Sequence, residues 1–365
     1  MRLPTDDQLS LREVCRDLLT AHSTSERVRR IAGSGTGHDG DLWKLTADLG
    51  WTALALPEEY GGLGGSACDL AVVAEEFGRV VQPSLLVQTL AVGRVLAAHG
   101  RSEPIRRLLA DIGTGDAVVT WAVGEPGGQD GVTVRERDGT LRLTGHRDYV
   151  PDAAAATHAV LRAEGESGSR LVVVPLRLDA VSVRPMHTMD ITRRYGRIVL
   201  DGAEIPDGLA LPAGGSAADD LLCLGTVLQC AESNGIAARL LEMTVTYAGQ
   251  RTQFGVPIGS FQALKHRIAD MLIEVEAGRV ATRAAAEAVD AGDGVPMAVS
   301  VAKSVVGRGT GFVATYALQL HGGIGFSWEH DLHLYLRRAK VNELLLGGPA
   351  WHEDRLATLL IPGEG

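Results

Sequence analysis

RTQFGVPIGSFQALKHRIADM, Arg251–Met271, joins two long helical patterns through a loop punctuated by Gly255, Pro257 and Gly259. Arg251 closes the first pattern, and a guanidinium fork at that point suits pyrophosphate oxygens. Phe254 offers a flat apolar face to an aromatic ring system. Past the loop, Leu264, Ile268, Met271, Leu272 and Val275 recur at helical spacing and line one side. Taken alone, the stretch reads as a helix connection with a surface arginine.

Its neighbours make it part of a larger plan. Helical patterns run over 219–249, 261–289 and 296–321, with a shorter one near 330–346, enough to close as an antiparallel four-helix bundle. The third pattern leads into QLHGGIGFSWEHDLHLYLRRAK, Gln319–Lys340, where Gly322 and Gly323 let a ligand approach the backbone closely. Upstream, from Asp116, the period is two: Val132 and Val134 alternate with polar residues, Asp138-Gly139 supplies a type I′ turn, and Leu141 and Leu143 return. Further short strands are expected at 159–162, 171–176, 181–184 and 197–200. The first ~110 residues read as helices, with a capping box at Thr5 and Gln8. Leu11, Val14, Cys15, Leu18 and Leu19 form one apolar face; Leu42, Leu45 and Leu49 form a second; Leu70, Val73, Ala74 and Phe77 form a third. GWTALALPEEYGGLGG, Gly50–Gly65, is a turn between them. The expected fold class is α+β in three domains: 1–114 helical, 115–212 β, and 213–365 a four-helix bundle.

The bulk numbers agree with that size and exclude several functions. A chain of 365 residues suits two or three domains. A formal charge of −10 without a basic stripe argues against nucleic-acid binding. The four cysteines, Cys15, Cys68, Cys223 and Cys230, show no CxxC spacing, so buried free thiols are expected rather than a disulfide framework or a metal site. A polar N-terminus and the lack of a long uncharged apolar run give the expectation of a soluble cytoplasmic protein with no membrane association.

RTQFGVPIGSFQALKHRIADM and QLHGGIGF…RRAK together resemble the flavin-clamping motifs of the acyl-CoA dehydrogenase family. GWTALALPEEYGGLGG and MDITRRYGRIVLDGAEIP, Met189–Pro206, resemble further family segments, so the likeness covers nearly the whole chain. It implies an FAD enzyme, usually a tetramer, that oxidises an acyl-CoA thioester to the 2-enoyl-CoA and passes electrons to an electron-transfer flavoprotein-like acceptor. In the family a carboxylate takes the α-proton while the β-hydrogen leaves as hydride, and the weak acidity of that α-proton demands a positioned base. The resemblance also implies cofactor contacts at Arg251, Gln253, Phe254, Ile258, Gln262, Gln319, Leu320, Gly322 and Gly323, made across an interface to a neighbouring subunit's FAD.

The departures fall elsewhere. Laid on the family's RDAK-to-Glu-Gly stretch, Arg337–Lys340 match except at Arg338, and Leu346 takes the place of the glutamate. The alternative seat for the base, on the first bundle helix, holds Gly225. Gly124 and Gln129 stand where hydroxyl residues are usual, DYVP (Asp148–Pro151) replaces a Trp-x-x-Thr segment, and Gly348 replaces a threonine. Residues lent to a partner are retained; those serving the chain's own flavin are eroded. No catalytic residue is therefore assigned, and the expected role is the base-deficient subunit of a hetero-oligomer with a homologous Glu-bearing subunit. Such pairs are known in the family for bulky acyl groups such as steroid side chains. Glu232, two turns beyond Gly225, and Glu343, one turn before Leu346, are the candidates for a relocated base; the plainer expectation is a paired helix group for Glu232 and a solvated face for Glu343. His266 and His321 are expected in packing or interface roles. An autonomous flavoenzyme, with a relocated base or oxygen-dependent chemistry, and a structural partner without FAD are the alternatives.

Overall fold

The computed structural model describes residues 3–124 and 131–361. In chain order the elements are α1 (Asp6–His22), α2 (Ser25–Ala32), α3 (Gly40–Asp48), α4 (Ala67–Arg79), α5 (Leu86–His99) and α6 (Glu103–Thr114). Then come β1 (Val119–Ala122), β2 (Val132–Arg137), β3 (Thr140–Pro151), β4 (His158–Gly165), β5 (Gly168–Pro175), β6 (Val181–Met186) and β7 (Tyr195–Pro206). The remainder is α7 (Ala217–Gln250), the two-residue strands β8 (Thr252–Gln253) and β9 (Val256–Pro257), α8 (Gln262–Ala291), α9 (Val295–His321), α10 (Leu332–Leu344) and α11 (Pro349–Leu360). Helical, β, helical is the order expected from the change of period.

Two compact units interleave along the chain: residues 1–28, 67–82 and 226–365 form one, and 29–66 with 83–225 form the other. In the second, the sheet runs β1-β4-β2-β3-β7-β6, with β5 on the other edge of β4. β4 is parallel to β1 and β2, and the remaining pairs are antiparallel. The β2–β3 turn carries positive φ at Asp138 (51°) and Gly139 (73°), as a type I′ turn requires. The inward residues of alternate register, Val132, Val134, Leu141, Leu143, Leu161, Val172, Val174, Ile198, Leu200 and Ile205, bury as one core.

In the first unit, the capping box forms at Thr5 and Gln8, each side chain accepting from the other's backbone N–H at 3.2–3.3 Å. α9 packs against α8, α10 and α11. Close approach depends on small residues: a Cβ at Gly78 of α4 would stand 2.0 Å from the Glu232 carbonyl oxygen on α7, and one at Gly235 would stand 1.9 Å from that of Glu75. Along α8 the expected apolar side is only partly covered, with Met271 and Val275 buried but Leu272 half-exposed. Val14 and Leu49 are likewise about half-exposed, at the edges of their helix faces.

The sequence reading singles out no helix at α2, α5 or α6; α5 is buried nearly all round, which erases any helical period. α11 lies beyond the last pattern expected and makes a fifth helix in the C-terminal segment. The four thiols are free and buried, and burial pushes Cys15 and Cys68 up to about 12, so neither is a nucleophile near neutral pH. Among the described residues, no group of His, Cys, Asp and Glu could hold a metal ion, and no helix is long and apolar enough to cross a membrane.

Candidate active site

The nine residues expected to hold a flavin lie at one end of the helical unit, on its surface. β8 and β9 form a two-residue hairpin whose turn is Phe254-Gly255, with φ of 53° and 81°. Ile258 N–H donates to the Arg251 carbonyl at 2.8 Å and closes the loop. The turn lifts Phe254 into solvent, 92 % exposed, with an edge contact to Phe261 at 6.3 Å. Arg251, Gln253 and Gln262 are exposed as well, and Ile258 is partly so. At the end of α9, Gln319, Gly322 and Gly323 are exposed and Leu320 is half-buried. Gly322 adopts φ 61°, ψ −141°, a region reserved for glycine.

The two loops share this end because Tyr247, near the end of α7, stacks on His321, the last residue of α9, at 4.6 Å. His321 is buried, its Nδ1 lies 2.7 Å from the Ala317 carbonyl, and burial holds its pKa below the usual value. His266 is exposed. A large aromatic in a left-handed turn, lifted off its own core, is a costly arrangement for an isolated chain.

The two positions expected to seat a base are apolar. Gly225 is buried in α7. Leu346 is 5 % exposed and takes φ 59°, unusual for a side chain larger than asparagine. Polar groups hold this backbone from beneath. Lys303 Nζ on α9 donates to Gln229 Oε1 and to the carbonyls of Asn342 and Leu345, the last at 2.8 Å. His352 Nε2 lies 3.0 Å from the Leu346 carbonyl and its Nδ1 3.2 Å from Ser300 Oγ. Burial, reinforced by the Lys303 and Arg355 charges, brings His352 down to about 4. It is therefore neutral near pH 7, with Nε2–H donating to the carbonyl and Nδ1 accepting from the serine.

Both candidate carboxylates are engaged by a cation. Glu232 is buried and accepts from Arg338 Nη1 and Asn342 Nδ2, both at 2.8 Å, while Arg338 itself is fully buried. A carboxylate held by a bonded guanidinium and a second donor is fixed in place. Arg338, the lone departure from the RDAK pattern, is thus the buried counter-ion of Glu232. Each was visible in the sequence; the pairing, across 106 residues, was not. Glu343 is half-buried rather than fully solvated, and accepts from Lys340 Nζ at 2.7 Å.

In the β-containing unit, a Cβ on Gly124 (φ 87°) would meet Arg147 Nη1 at 2.7 Å, and Arg147 donates through Nη2 to the Arg162 carbonyl. A hydroxyl side chain there would meet both a left-handed backbone and a buried guanidinium. Gln129 lies outside the described residues. DYVP forms a bulge in the β3–β7 ladder between Arg147 and Val150. Asp148 pairs with Arg197, whose hydrogen bond lowers the carboxyl's pKa, and Tyr149 projects half-exposed with φ 52°. Gly348, in the place of the threonine, caps α11 and brings no hydroxyl.

Models of the acyl-CoA dehydrogenase N-terminal and C-terminal domains match residues 5–116 and 214–359. A relative named acyl-CoA dehydrogenase IpdE2, from Mycobacterium tuberculosis, is 35 % identical over 351 residues, 95 % of each chain. The chain belongs to the acyl-CoA dehydrogenase family. It is an oxidoreductase by family, and its fold matches solved relatives end to end. A variant of the Tcur3481-Tcur3483 steroid ACAD superposes with TM-score 0.91 at 32 % identity, covering 97 % of this chain and 98 % of that one. The ChsE4-ChsE5 complex from Mycobacterium tuberculosis gives TM-score 0.93 at 28 % identity, with full coverage of both chains.

Proposed function

We propose that this acyl-CoA dehydrogenase family member is the base-deficient subunit of an FAD-dependent hetero-oligomer that oxidises an acyl-CoA to its 2-enoyl-CoA. The observation carrying the reading is that Leu346 and Gly225, the two seats for a proton acceptor, are buried and apolar, while Glu232 is locked by Arg338 and Asn342. A general base is worth about 10²–10⁴ in rate, so a subunit without one contributes little turnover of its own.

What the chain keeps is outward-facing. Arg251 supplies a cation suited to pyrophosphate, Phe254 a flat apolar face, and the Gly322-Gly323 backbone a surface without side chains. These groups fit a dinucleotide presented by another subunit, and FAD bound there would act as the electron sink. The eroded positions around Gly124 and Asp148 support a chain that serves the partner's cofactor. Relatives described as a steroid ACAD and as a two-component complex support a heteromer acting on a bulky acyl group, with a Glu-bearing homologue as partner and an electron-transfer flavoprotein-like acceptor.

The test is turnover of acyl-CoA with an artificial electron acceptor, for the chain alone, the Glu-bearing homologue alone, and the two co-expressed. The expected result is activity of the co-expressed pair at least tenfold above either separately. Equal activity of this chain alone and the pair would favour an autonomous flavoenzyme and sink the proposal.

A further inference from the structure

His321 lies where four pieces of the helical unit meet. Its ring stacks on Tyr247 of α7, with centroids 4.6 Å apart and planes 20° from parallel. His330, in the loop before α10, stands edge-on to it at 5.0 Å. The Ala317 carbonyl, one turn back on α9, lies 2.7 Å from Nδ1. A carbonyl can only accept, so Nδ1 carries a proton and the ring's orientation is fixed. The short turn Gly322–Phe326 folds back over the same side chain: a Cβ at Gly325 would stand 3.2 Å from the Cβ of His321.

Both candidate flavin loops start from this stack. Arg251 N–H donates to the Tyr247 carbonyl at 2.8 Å, so the residue that opens the hairpin hangs on the residue that stacks. Gly322 directly follows His321, and its N–H donates to the Leu318 carbonyl. Beyond these anchors two arms project into solvent: Arg251, Gln253 and Phe254 on one, Gly322 and Gly323 on the other. Two exposed arms grip one ligand well when their spacing is set beforehand; otherwise part of the binding energy is lost in ordering them.

We propose that the Tyr247–His321 stack is a positioning element for dinucleotide binding. It fixes the spacing between the Arg251–Phe254 arm and the Gly322-Gly323 backbone so that both meet one FAD of the partner subunit, acting through the loops rather than on the ligand. This role rests on the proposed function, in which those arms serve that FAD. The tyrosine ring carries it, since an aromatic pair adds a geometric preference that an aliphatic contact of similar area lacks.

Two measurements test it. In the chain alone, limited trypsin digestion reads the exposed Arg251–Thr252 bond. Tyr247→Leu is expected to raise cleavage there at least fivefold, with the chain still folded by circular dichroism, while Tyr247→Phe stays within twofold of the parent. In the assembly co-expressed with a Glu-bearing homologue, stripped of flavin and titrated with FAD, Tyr247→Leu is expected to weaken FAD at least tenfold and Tyr247→Phe less than twofold. Arg251→Ala is expected to cost less in the Tyr247→Leu background than in the parent, because the arm it removes is already displaced. Should Tyr247→Leu not fold, His321→Gln removes the other ring and decides in its place. Unchanged cleavage or unchanged FAD affinity in Tyr247→Leu, additive losses with Arg251→Ala, or Tyr247→Phe as weak as Tyr247→Leu would overturn the inference. If Arg251→Ala weakens FAD and Tyr247→Leu does not, the positioning role alone fails. If the pair binds no FAD, or Arg251→Ala leaves its affinity unchanged, the proposed function of the loops fails and the positioning role falls with it.

Discussion

Arg338→Met removes the charge facing Glu232 and keeps most of the buried stem. The guanidinium is fully buried and the carboxylate is 5 % exposed, so solvent cannot compensate either group once its partner is gone. Breaking such a pair costs about 3–5 kcal/mol, because the surviving charge keeps its desolvation penalty. Asn342 remains as a donor to Glu232, which places Arg338→Met toward the lower end. At roughly 2–4 °C per kcal/mol for folded units of this size, the loss in Tm is about 6–12 °C. Glu232→Gln is expected to cost a similar amount, since it strands the fully buried guanidinium. The double variant is expected to be more stable than the two single losses added together, with a coupling of about 2 kcal/mol or more. The assay is thermal and denaturant unfolding of the four proteins, with turnover of the assembled enzyme alongside. A loss below about 1 kcal/mol for Arg338→Met would refute the buried-pair reasoning. Loss of assembly turnover in Glu232→Gln without loss of stability would return Glu232 to the list of bases.

Further outcomes follow from other parts of the molecule. Arg251→Ala and Phe254→Ala touch exposed side chains, so stability is expected to change by no more than about 0.5 kcal/mol, while flavin retention of the co-expressed assembly falls at least tenfold; retained flavin in both variants would contradict the assignment of that loop. Leu346→Glu is expected to leave the isolated chain within twofold of background turnover, because on the proposed reading the chain's own half-site is also altered at Gly124 and at the Asp148 bulge; a hundredfold gain in the acyl-CoA assay would show that only the base was missing. His352 titrates near 4 in the folded chain against an ordinary value near 6.5, so the unfolded chain binds the extra proton between those values. Its contribution is present above about pH 6.5 and is lost as pH falls toward 4, at most about 3 kcal/mol; His352→Phe is expected to flatten that part of the stability–pH curve, and an unchanged slope would contradict it.

Periodicity carried the fold where a face was half-covered. β2 and β3 declared themselves through alternation and the Asp138-Gly139 turn, and α8 and α9 through long helical patterns ended by glycine. It failed for α5, whose burial on every side leaves no polar stripe to mark a period. The surface position of Phe254 was legible only as a flat ring near a glycine; its exposure follows from the left-handed turn that β8 and β9 impose. The expectation that Leu346 and Gly225 occupy the seats of a base needed a family pattern to be noticed at all. The reason no nearby carboxylate fills them lies in tertiary contacts between α7 and α10, which spacing along either helix does not encode. The same holds for the Lys303 and His352 contacts under the Leu346 loop, and for Arg147 against Gly124.

Visible absorbance of flavin per polypeptide tests the central claim most directly, on the chain purified alone and on the chain co-purified with a Glu-bearing homologue. The account predicts a colourless single-chain preparation and about one flavin for each pair of unlike subunits in the mixture. A yellow single-chain preparation with one flavin per polypeptide, able to desaturate an acyl-CoA without help, would contradict it.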